Sequence, residues 1–415
     1  MIKKYGWSFL FYLFIHSYVV NARSFTVYPA LSSAEINTVL EKASARDSII
    51  FKSGHYFINN LLILKSLVLK GENFPVLDGE NKNQIISIGS DDVTIDGFKF
   101  TNTGFSDMNE ISAIRIQNVR NATIKNNLLE NVFFGIYCLN ASHGLIINNK
   151  IQSHAERELQ SGNGIHCWKS DSMRIIRNYI SGQRDGIYFE FVTNSYIEDN
   201  LSERNLRYGL HFMFSHNNSY SGNTFNFNGA GVAVMYSHQV LMINNTFSQN
   251  QGEASYGILM KDISDSRVKG NHFTKNTIGI YMEGTSRIIV ENNSFESNGW
   301  AFKIQASCED ITVEKNKFIG NTFDVATNGS LVLNKFVNNY WDKYEGYDLN
   351  KDGIGDVPYR PVSLYAMIAE RMPYSMMLFR SFMVMLLERT EKAVPGLTPV
   401  DLKDDKPLMK AIAYD

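Results

Sequence analysis

The sequence predicts an all-β fold, a right-handed parallel β-helix with coils of about 22 residues, followed by a C-terminal helical tail. The first observation is a recurring pattern of Asn, any residue and an apolar residue. The second is a Gly before an apolar residue, which recurs between these asparagines. Such a period, with alternating apolar residues, is typical of coiled strands and not of stacked helices. The asparagines are Asn127, Asn149, Asn178, Asn223, Asn245, Asn271, Asn293, Asn316 and Asn334, with Asn200 at matching spacing, and the glycines are Gly135, Gly164, Gly186, Gly209, Gly231, Gly257 and Gly279.

Residues 1–22 have the order of a secretory signal peptide. Lys3 and Lys4 supply positive charge ahead of an apolar run. That run is followed by Ala22, where we place the cut. The alternative is an uncleaved membrane anchor, but the run is shorter than the roughly 20 residues that cross a bilayer comfortably and contains Tyr, Ser and His. The sequence therefore predicts an exported, periplasmic protein.

The β-helix is predicted to span residues 23–340. The stretch from Ser32 to Ala45 predicts a short amphipathic helix, with Ser33 as a candidate cap, that covers the open N-terminal end of the solenoid. The recurring Asn suits a turn with φ > 0 and also a ladder of side chains stacked one per coil. Longer steps between asparagines indicate insertions at residues 153–162 and 251–255, which often decorate a binding face.

Charge and cysteine content exclude two classes of protein. The formal net charge is −2, whereas a nucleic-acid-binding protein needs a basic stripe that neutralises phosphates. The sequence contains three cysteines, an odd number, so it is not a disulfide scaffold. Cys138 and Cys167 occupy matching positions in adjacent coils, where we expect buried core residues; a disulfide or a metal pair is the alternative.

The second and fourth residues after each marked Gly are predicted to point outward, because side chains alternate along a strand. These positions carry aromatic, His and Met residues, which is unusual for a solvent face and suggests a binding surface. Among them, His211, Met213 and Met235 are a candidate site for copper as Cu⁺, since imidazole and thioethers form a soft ligand set. The alternative is that both methionines pack under a loop or a partner.

Residues 341–361 form an Asp-rich loop that resembles a calcium-binding loop. Asp348, Asn350, Asp352 and Asp356 occupy its ligand positions, with a Gly at the sharp turn. Tyr359 stands where the bidentate Glu of such a loop belongs. The alternative to a Ca²⁺ site is therefore an ordinary Asp-rich turn.

Residues 362–415 are predicted to form a Met-rich helical tail. A Met-rich apolar helix outside the main core usually forms a docking surface for a partner. The alternative is a cap over the open C-terminal end of the solenoid, and one segment can serve both purposes. The candidate docking residues are Met367, Met372, Met376, Met377, Met383 and Met385.

Several stretches resemble the NosD family, and the resemblance covers almost the whole mature chain. The tail motifs are far more specific than the repeat, which many sugar-acting β-helices share. The matching stretches are Arg207 to Ser215, Gly231 to Ser237, Tyr256 to Leu259, Asn339 to Trp341, Gly346 to Leu364, Leu397 to Pro399 and Pro407 to Met409.

This resemblance implies a periplasmic accessory protein for copper-centre assembly in nitrous-oxide reductase. It implies four partners: an ABC transporter permease, its ATPase, a copper chaperone lipoprotein and the reductase apoprotein. It implies association with the membrane through the transporter, and it makes copper the natural ligand of His211, Met213 and Met235.

The competing class is a polysaccharide-binding or polysaccharide-cleaving β-helix enzyme. Such an enzyme needs paired carboxylates, or a basic residue beside bound calcium, at its groove. The outward positions offer Glu190 and Glu283, four coils apart, which is roughly 19 Å at one strand spacing per coil. We therefore predict that the chain is not an enzyme.

Overall fold

The computed structural model describes residues 22–106, 108–329, 333–393 and 402–411. It is a parallel β-helix: three long sheets run along the solenoid, and every paired strand is parallel to its neighbour one coil away. The predicted fold class is confirmed. The predicted signal peptide, apart from Ala22, lies outside the described residues.

The three sheets contain 14, 12 and 13 strands within the described residues. Sheet 1 consists of Ser24–Val27, Ser48–Phe51, Val68–Gly71, Thr94–Asp96, Thr123–Lys125, Leu145–Ile147, Arg174–Ile176, Tyr196–Glu198, Ser219–Ser221, Leu241–Ile243, Ser264–Lys269, Ser286–Glu291, Glu309–Glu314 and Lys335–Val337. Sheet 2 consists of Leu61–Ile63, Ile86–Ile88, Ser112–Gln117, Phe134–Leu139, Ile165–Trp168, Asp185–Glu190, Tyr208–Met213, Ala230–Met235, Tyr256–Lys261, Ile278–Glu283, Trp300–Ile304 and Phe323–Ala326. Sheet 3 consists of His55–Phe57, Val76–Asp78, Lys99–Thr101, Leu128–Glu130, Lys150–Gln152, Tyr179–Ser181, Leu201–Glu203, Thr224–Asn226, Thr246–Ser248, His272–Thr274, Ser294–Glu296, Lys317–Ile319 and Tyr340–Trp341.

Helices lie at both ends of the solenoid and in one insertion. The α-helices are α1 (Ser33–Lys42), α2 (Leu364–Arg371) and α3 (Phe382–Ala393), and the 3₁₀ helices are Glu158–Gln160 and Pro373–Leu378. None of the helices in the described part of the chain is long and apolar enough to cross a membrane.

Helix α1 covers the N-terminal end of the core, as predicted. It buries Ile36 and Leu40 against the first coils. Its cap is Ser32 and not Ser33: the Ser32 hydroxyl accepts a hydrogen bond from the Glu35 amide, and the Glu35 carboxylate accepts one from the Ser32 amide at 2.8 Å. This reciprocal pair satisfies donors that the first helical turn leaves free.

The recurring asparagines form a buried ladder along the solenoid. From Asn149 onward, each ladder amide oxygen accepts hydrogen bonds from the main-chain and side-chain N–H groups of the Asn one coil earlier; for Asn245, both bonds from Asn223 are 3.0 Å. The amide oxygen of Asn127, the first in the ladder, accepts from the Phe98 main-chain N–H. The positive φ falls on the residue before, for example Asn244, so the explanation by φ > 0 was wrong for the ladder asparagines and the explanation by stacking is confirmed. The ladder contains Asn127, Asn149, Asn178, Asn200, Asn223, Asn245, Asn271, Asn293, Asn316 and Asn339.

Asn334 is not a ladder residue, contrary to the sequence pattern. It precedes a Sheet 1 strand, whereas the ladder asparagines precede Sheet 3 strands, and its amide oxygen accepts from the Ile311 N–H at 3.0 Å. The ladder position of that coil belongs to Asn339.

The core beside this ladder is a column of stacked aromatic rings. Phe225, Phe247, Phe273, Phe295, Phe318 and Trp341 follow one another with ring centroids 4.1–5.4 Å apart. Cys138 and Cys167 are register partners in Sheet 2 and are fully buried free thiols, as expected for core residues. Burial raises the pKa of the Cys167 thiol well above its ordinary value.

The tail covers the solenoid in two places. Its helices lie on the outer face of the last Sheet 2 strands, where Tyr365 and Ala369 pack with Trp300 and Phe323. The segment 402–411 instead pairs with the last coil and forms the C-terminal cap.

Candidate metal-binding face of Sheet 2

The outer face of Sheet 2 is positioned by the strand alternation that the sequence predicts. Leu210 and Phe212 are fully buried in the core, so His211 and Met213 project from the opposite side of the strand. In the parallel register Met213 lies directly beside Met235, and both are half-buried. The in/out assignment on which the copper hypothesis depends therefore holds.

His211 is nevertheless not exposed. Its exposed fraction is only 4%, and the rings of Tyr188 and Tyr208 lie 4.7 and 4.8 Å from its own ring. The expectation of an exposed face was wrong at this position because Tyr188 covers the ring from the preceding coil and Tyr208 covers it from the same strand. The same stacking continues through His166, whose ring lies 4.7 Å from that of Tyr188.

The His211 ring carries an unsatisfied hydrogen-bonding capacity. Within the described residues neither Nδ1 nor Nε2 has a hydrogen-bond partner. The nearest charged group is Asp185, whose Oδ2 lies 3.6 Å from Nδ1 and whose side chain is 2% exposed. A buried polar atom without a partner costs roughly 1 to 3 kcal/mol, so the two nitrogens mark a place where a ligand or a water is expected.

His166 has a similar environment but a clear protonation state. Burial, followed by the nearby Arg184, lowers the pKa of His166 to about 3. Its imidazole is therefore neutral at any physiological pH, and its Nε2 is also without a partner among the described residues. Tyr188 lies between the rings of His166 and His211, so the two imidazoles do not converge on one ion.

A second histidine pair lies on the next turn and was missed by the sequence analysis. The rings of His216 and His238 stack at 3.9 Å with an interplanar angle of 10°. The signal was a repeat in adjacent coils of Met, an aromatic residue, Ser and His. The His238 N–H donates to Nδ1 of His216 at 3.2 Å, which places the proton of neutral His216 on Nε2 and leaves no lone pair there for a metal.

The candidate calcium loop turns its carboxylates onto its own backbone. Asp348 accepts from the N–H groups of Lys351 and Gly353 at 2.6 and 2.9 Å, and Asp356 accepts from Leu349 at 2.7 Å. Asn350 and Asp352 likewise accept backbone N–H bonds inside the loop. These are the hydrogen bonds of an Asp-rich turn, and the calcium site stays a prediction.

The described residues contain no cluster of three or more His, Cys, Asp or Glu side chains that is placed to hold a metal ion. Glu190 and Glu283 are separated by four steps of the strand register, as the sequence analysis assumed.

Most of the candidate docking methionines lie on the surface of the tail. Met372, Met377, Met383 and Met385 are 51–88% exposed, and Met376 is 37% exposed. Met367 is different because it packs against the core of the β-helix. The exposed surface also contains other large apolar side chains, namely Tyr374, Leu378, Phe379, Phe382 and Leu386.

Comparisons with known proteins agree with this architecture. The family described as "Periplasmic copper-binding protein (NosD)" matches residues 147–351. A "Probable ABC transporter binding protein NosD" of Stutzerimonas stutzeri is 30% identical over 84% of this chain and 84% of that protein. A protein of the same name from Pseudomonas aeruginosa is 29% identical over 86% of this chain and 87% of its own length.

Solved structures with less than 25% identity support the fold alone. The catalytic domain of a GH87 α-1,3-glucanase in complex with nigerose has a TM-score of 0.63 at 13% identity and covers 77% of this chain and 69% of its own. A family 28 exopolygalacturonase of Yersinia enterocolitica has a TM-score of 0.51 at 10% identity, covering 77% of this chain and 78% of its own. By its sequence relatives, this chain belongs to the NosD family.

Proposed function

We propose that this protein binds Cu(I) in the periplasm and passes it on during assembly of the copper centre of nitrous-oxide reductase. In this proposal it works with an ABC transporter permease and its ATPase, and receives copper from a chaperone lipoprotein. The description of the family as periplasmic and copper-binding supports the metal and the compartment. The names of the two relatives support an association with a transporter. We propose no enzymatic activity.

The observation that carries the copper proposal is the arrangement around Met213. Its register partner is Met235, and His211, two residues earlier on the same face, has two nitrogens without hydrogen-bond partners in the described structure. Thioether and imidazole ligands favour Cu(I) over hard cations. Long, unbranched Met side chains on strands about 4.8 Å apart have the reach and flexibility to converge on one ion.

A competition titration with a Cu(I) chelator tests this site. The Met213→Leu, Met235→Leu double variant should bind Cu(I) at least tenfold more weakly than wild type, because Leu keeps the volume and removes the sulfur. The matched control is Met260→Leu, Met282→Leu, which changes register partners on the inner face of the same sheet. The site would be discarded if both double variants weakened Cu(I) binding equally, or if neither weakened it.

The tail supports the proposal that the chain docks on the permease. Its exposed Met and aromatic side chains form an apolar surface of the kind that interfaces bury. Deleting the tail is a poor test because residues 402–411 cap the β-helix. Replacing Met377, Phe382 and Met383 with Ser instead should abolish co-purification with the permease and ATPase, whereas Met→Leu at Met377 and Met383 should preserve it. Unchanged co-purification of the Ser variant would refute docking through this surface.

A further inference from the structure

We propose that Asp185 is the positioning residue for copper at His211: its carboxylate keeps the imidazole proton on Nδ1 and leaves Nε2 as the nitrogen that binds Cu(I). This inference rests on the proposed copper function. Asp185 begins the Sheet 2 strand that pairs with the strand of His211, so both side chains are held by the same parallel register.

The two carboxylate oxygens of Asp185 face different groups. Oδ1 accepts from the Tyr208 N–H at 3.3 Å and lies 3.9 Å from Nε of Arg207. Oδ2 is turned toward Nδ1 of His211 at 3.6 Å. That distance is slightly longer than a hydrogen bond, and contacts of this kind often tighten when a ligand binds.

The carboxylate decides which nitrogen of His211 is available. Neutral imidazole has one N–H and one lone pair. A proton on Nδ1 faces the Asp185 carboxylate, whereas a lone pair there would face negative charge. The proton therefore belongs on Nδ1 and the lone pair on Nε2, which has no partner among the described residues. Histidine ligands of metals commonly donate their other N–H to a carboxylate in this way.

The charge of Asp185 also suits a bound monovalent cation. Both Asp185 and His211 are almost completely buried, and a buried charge is stable only when it is paired. Nε of Arg207 lies 3.9 Å from Oδ1 of Asp185 and also 3.9 Å from Oε2 of Glu158, which belongs to the insertion at 153–162. The positive charge of Arg207 is therefore shared between two carboxylates. A Cu(I) ion on His211 would place a second positive charge near the Asp185 carboxylate.

Two substitutions separate these effects. Asp185→Leu removes both the acceptor and the charge, and Asp185→Asn keeps a hydrogen-bond acceptor but removes the charge. Cu(I) affinity should fall ten- to a hundredfold in the Leu variant, the range typical for loss of such a supporting group, and by less in the Asn variant. The control is Asp324→Asn, which changes another buried aspartate of the same sheet.

The second measurement is the ¹⁵N NMR spectrum of the histidine side chains without copper, with the His211 signals assigned by His211→Phe. Wild type should show the proton on Nδ1, and Asp185→Leu should show a mixture of tautomers. A merely structural role of Asp185 would not change the tautomer of a folded protein.

The outcomes distinguish the two proposals. Suppose that wild type binds Cu(I) and that the Met213→Leu, Met235→Leu double variant binds it more weakly. If Asp185→Leu then binds Cu(I) as tightly as wild type, the positioning role is wrong and the copper site stands. The role is also wrong if wild-type His211 carries its proton on Nε2. If wild type does not bind Cu(I), the proposed function fails, and the role of Asp185 fails with it.

Discussion

Replacing Asp404 with Ala should destabilise the whole C-terminal end of the β-helix. Asp404 is fully buried and takes the place that the next ladder Asn would have beyond Asn339. Its Oδ2 accepts from the main-chain N–H and the side-chain amide of Asn339, at 2.9 and 3.1 Å, and from Nε1 of Trp341 at 3.1 Å. A carboxylate suits the last position because the ladder there needs an acceptor and has no further Asn to which an amide would donate.

The expected loss of stability follows from the N–H donors that the substitution leaves without an acceptor. The main-chain N–H of Asn339 and the Nε1–H of Trp341 lose their acceptor, whereas the Asn339 side-chain amide keeps the carbonyl oxygens of Val313 and Val337. Each buried N–H group left without a partner costs roughly 1 to 3 kcal/mol. Water that enters the space of the missing carboxylate recovers part of this energy. We therefore expect a loss of about 2 to 4 kcal/mol in the free energy of unfolding of the last coils.

Hydrogen exchange measured by mass spectrometry, with urea unfolding beside it, is the appropriate assay. Exchange should accelerate in residues 402–411 and in the coil of Asn339, and much less near the N-terminal cap, because each coil packs only on its neighbours. The control is Asp405→Ala, which removes an exposed carboxylate paired with Lys403 at 2.8 Å and should change stability little. Equal protection in the two variants would refute the argument that the carboxylate ends the ladder.

Two buried titratable groups predict opposite responses to acid. Burial lowers the pKa of His166 to about 3. Between pH 7 and pH 5 the unfolded chain therefore takes up a proton that the folded chain does not, and His166→Phe should remove an acid destabilisation of roughly 2 kcal/mol. Burial raises the pKa of Asp324 to about 6 despite the nearby Lys343. Between pH 7 and pH 5 the folded chain therefore takes up a proton that the unfolded chain does not, and Asp324→Asn should remove an acid stabilisation of roughly 1 kcal/mol. Urea unfolding of wild type and both variants at pH 7 and pH 5 measures these differences. The burial argument would be contradicted if His166→Phe lost as much stability between pH 7 and pH 5 as wild type does. It would also be contradicted if Asp324→Asn lost no more stability than wild type over the same range.

The sequence was sufficient for the fold because the fold is periodic. A repeated Asn and a repeated Gly fixed the coil length, and alternation of apolar residues fixed which side of each strand faces the core. The register of Met213 with Met235 followed from that spacing alone. The error at Asn334 arose because the same local pattern occurs before the Sheet 1 strand and before the Sheet 3 strand of that coil. Only strand pairing distinguishes Asn334 from Asn339.

The details of the site were less predictable because they depend on neighbours in other coils. His211 is covered by the rings of Tyr188, in the preceding coil, and Tyr208, earlier in the same strand, so outward direction alone does not imply exposure. Asp185 was not among the residues predicted for the copper site, whereas its carboxylate is turned to an imidazole one coil away. The sequence pattern gives the direction of a side chain but not what lies above it.

The C-terminal cap shows the same limit over a longer separation. Asp404 is 65 residues beyond Asn339, and no periodic pattern connects them, so the tail was predicted as a helical unit with docking and capping as alternatives. In the structure residues 402–411 end the ladder, whereas the helices cover the last Sheet 2 strands and leave apolar side chains exposed. Tyr365, Ala369 and Val384 of these helices pack with Trp300 and Phe323, so the helices are held against the solenoid. An apolar surface held in this way loses less conformational entropy on association than a free segment, which would favour the proposed docking on the permease.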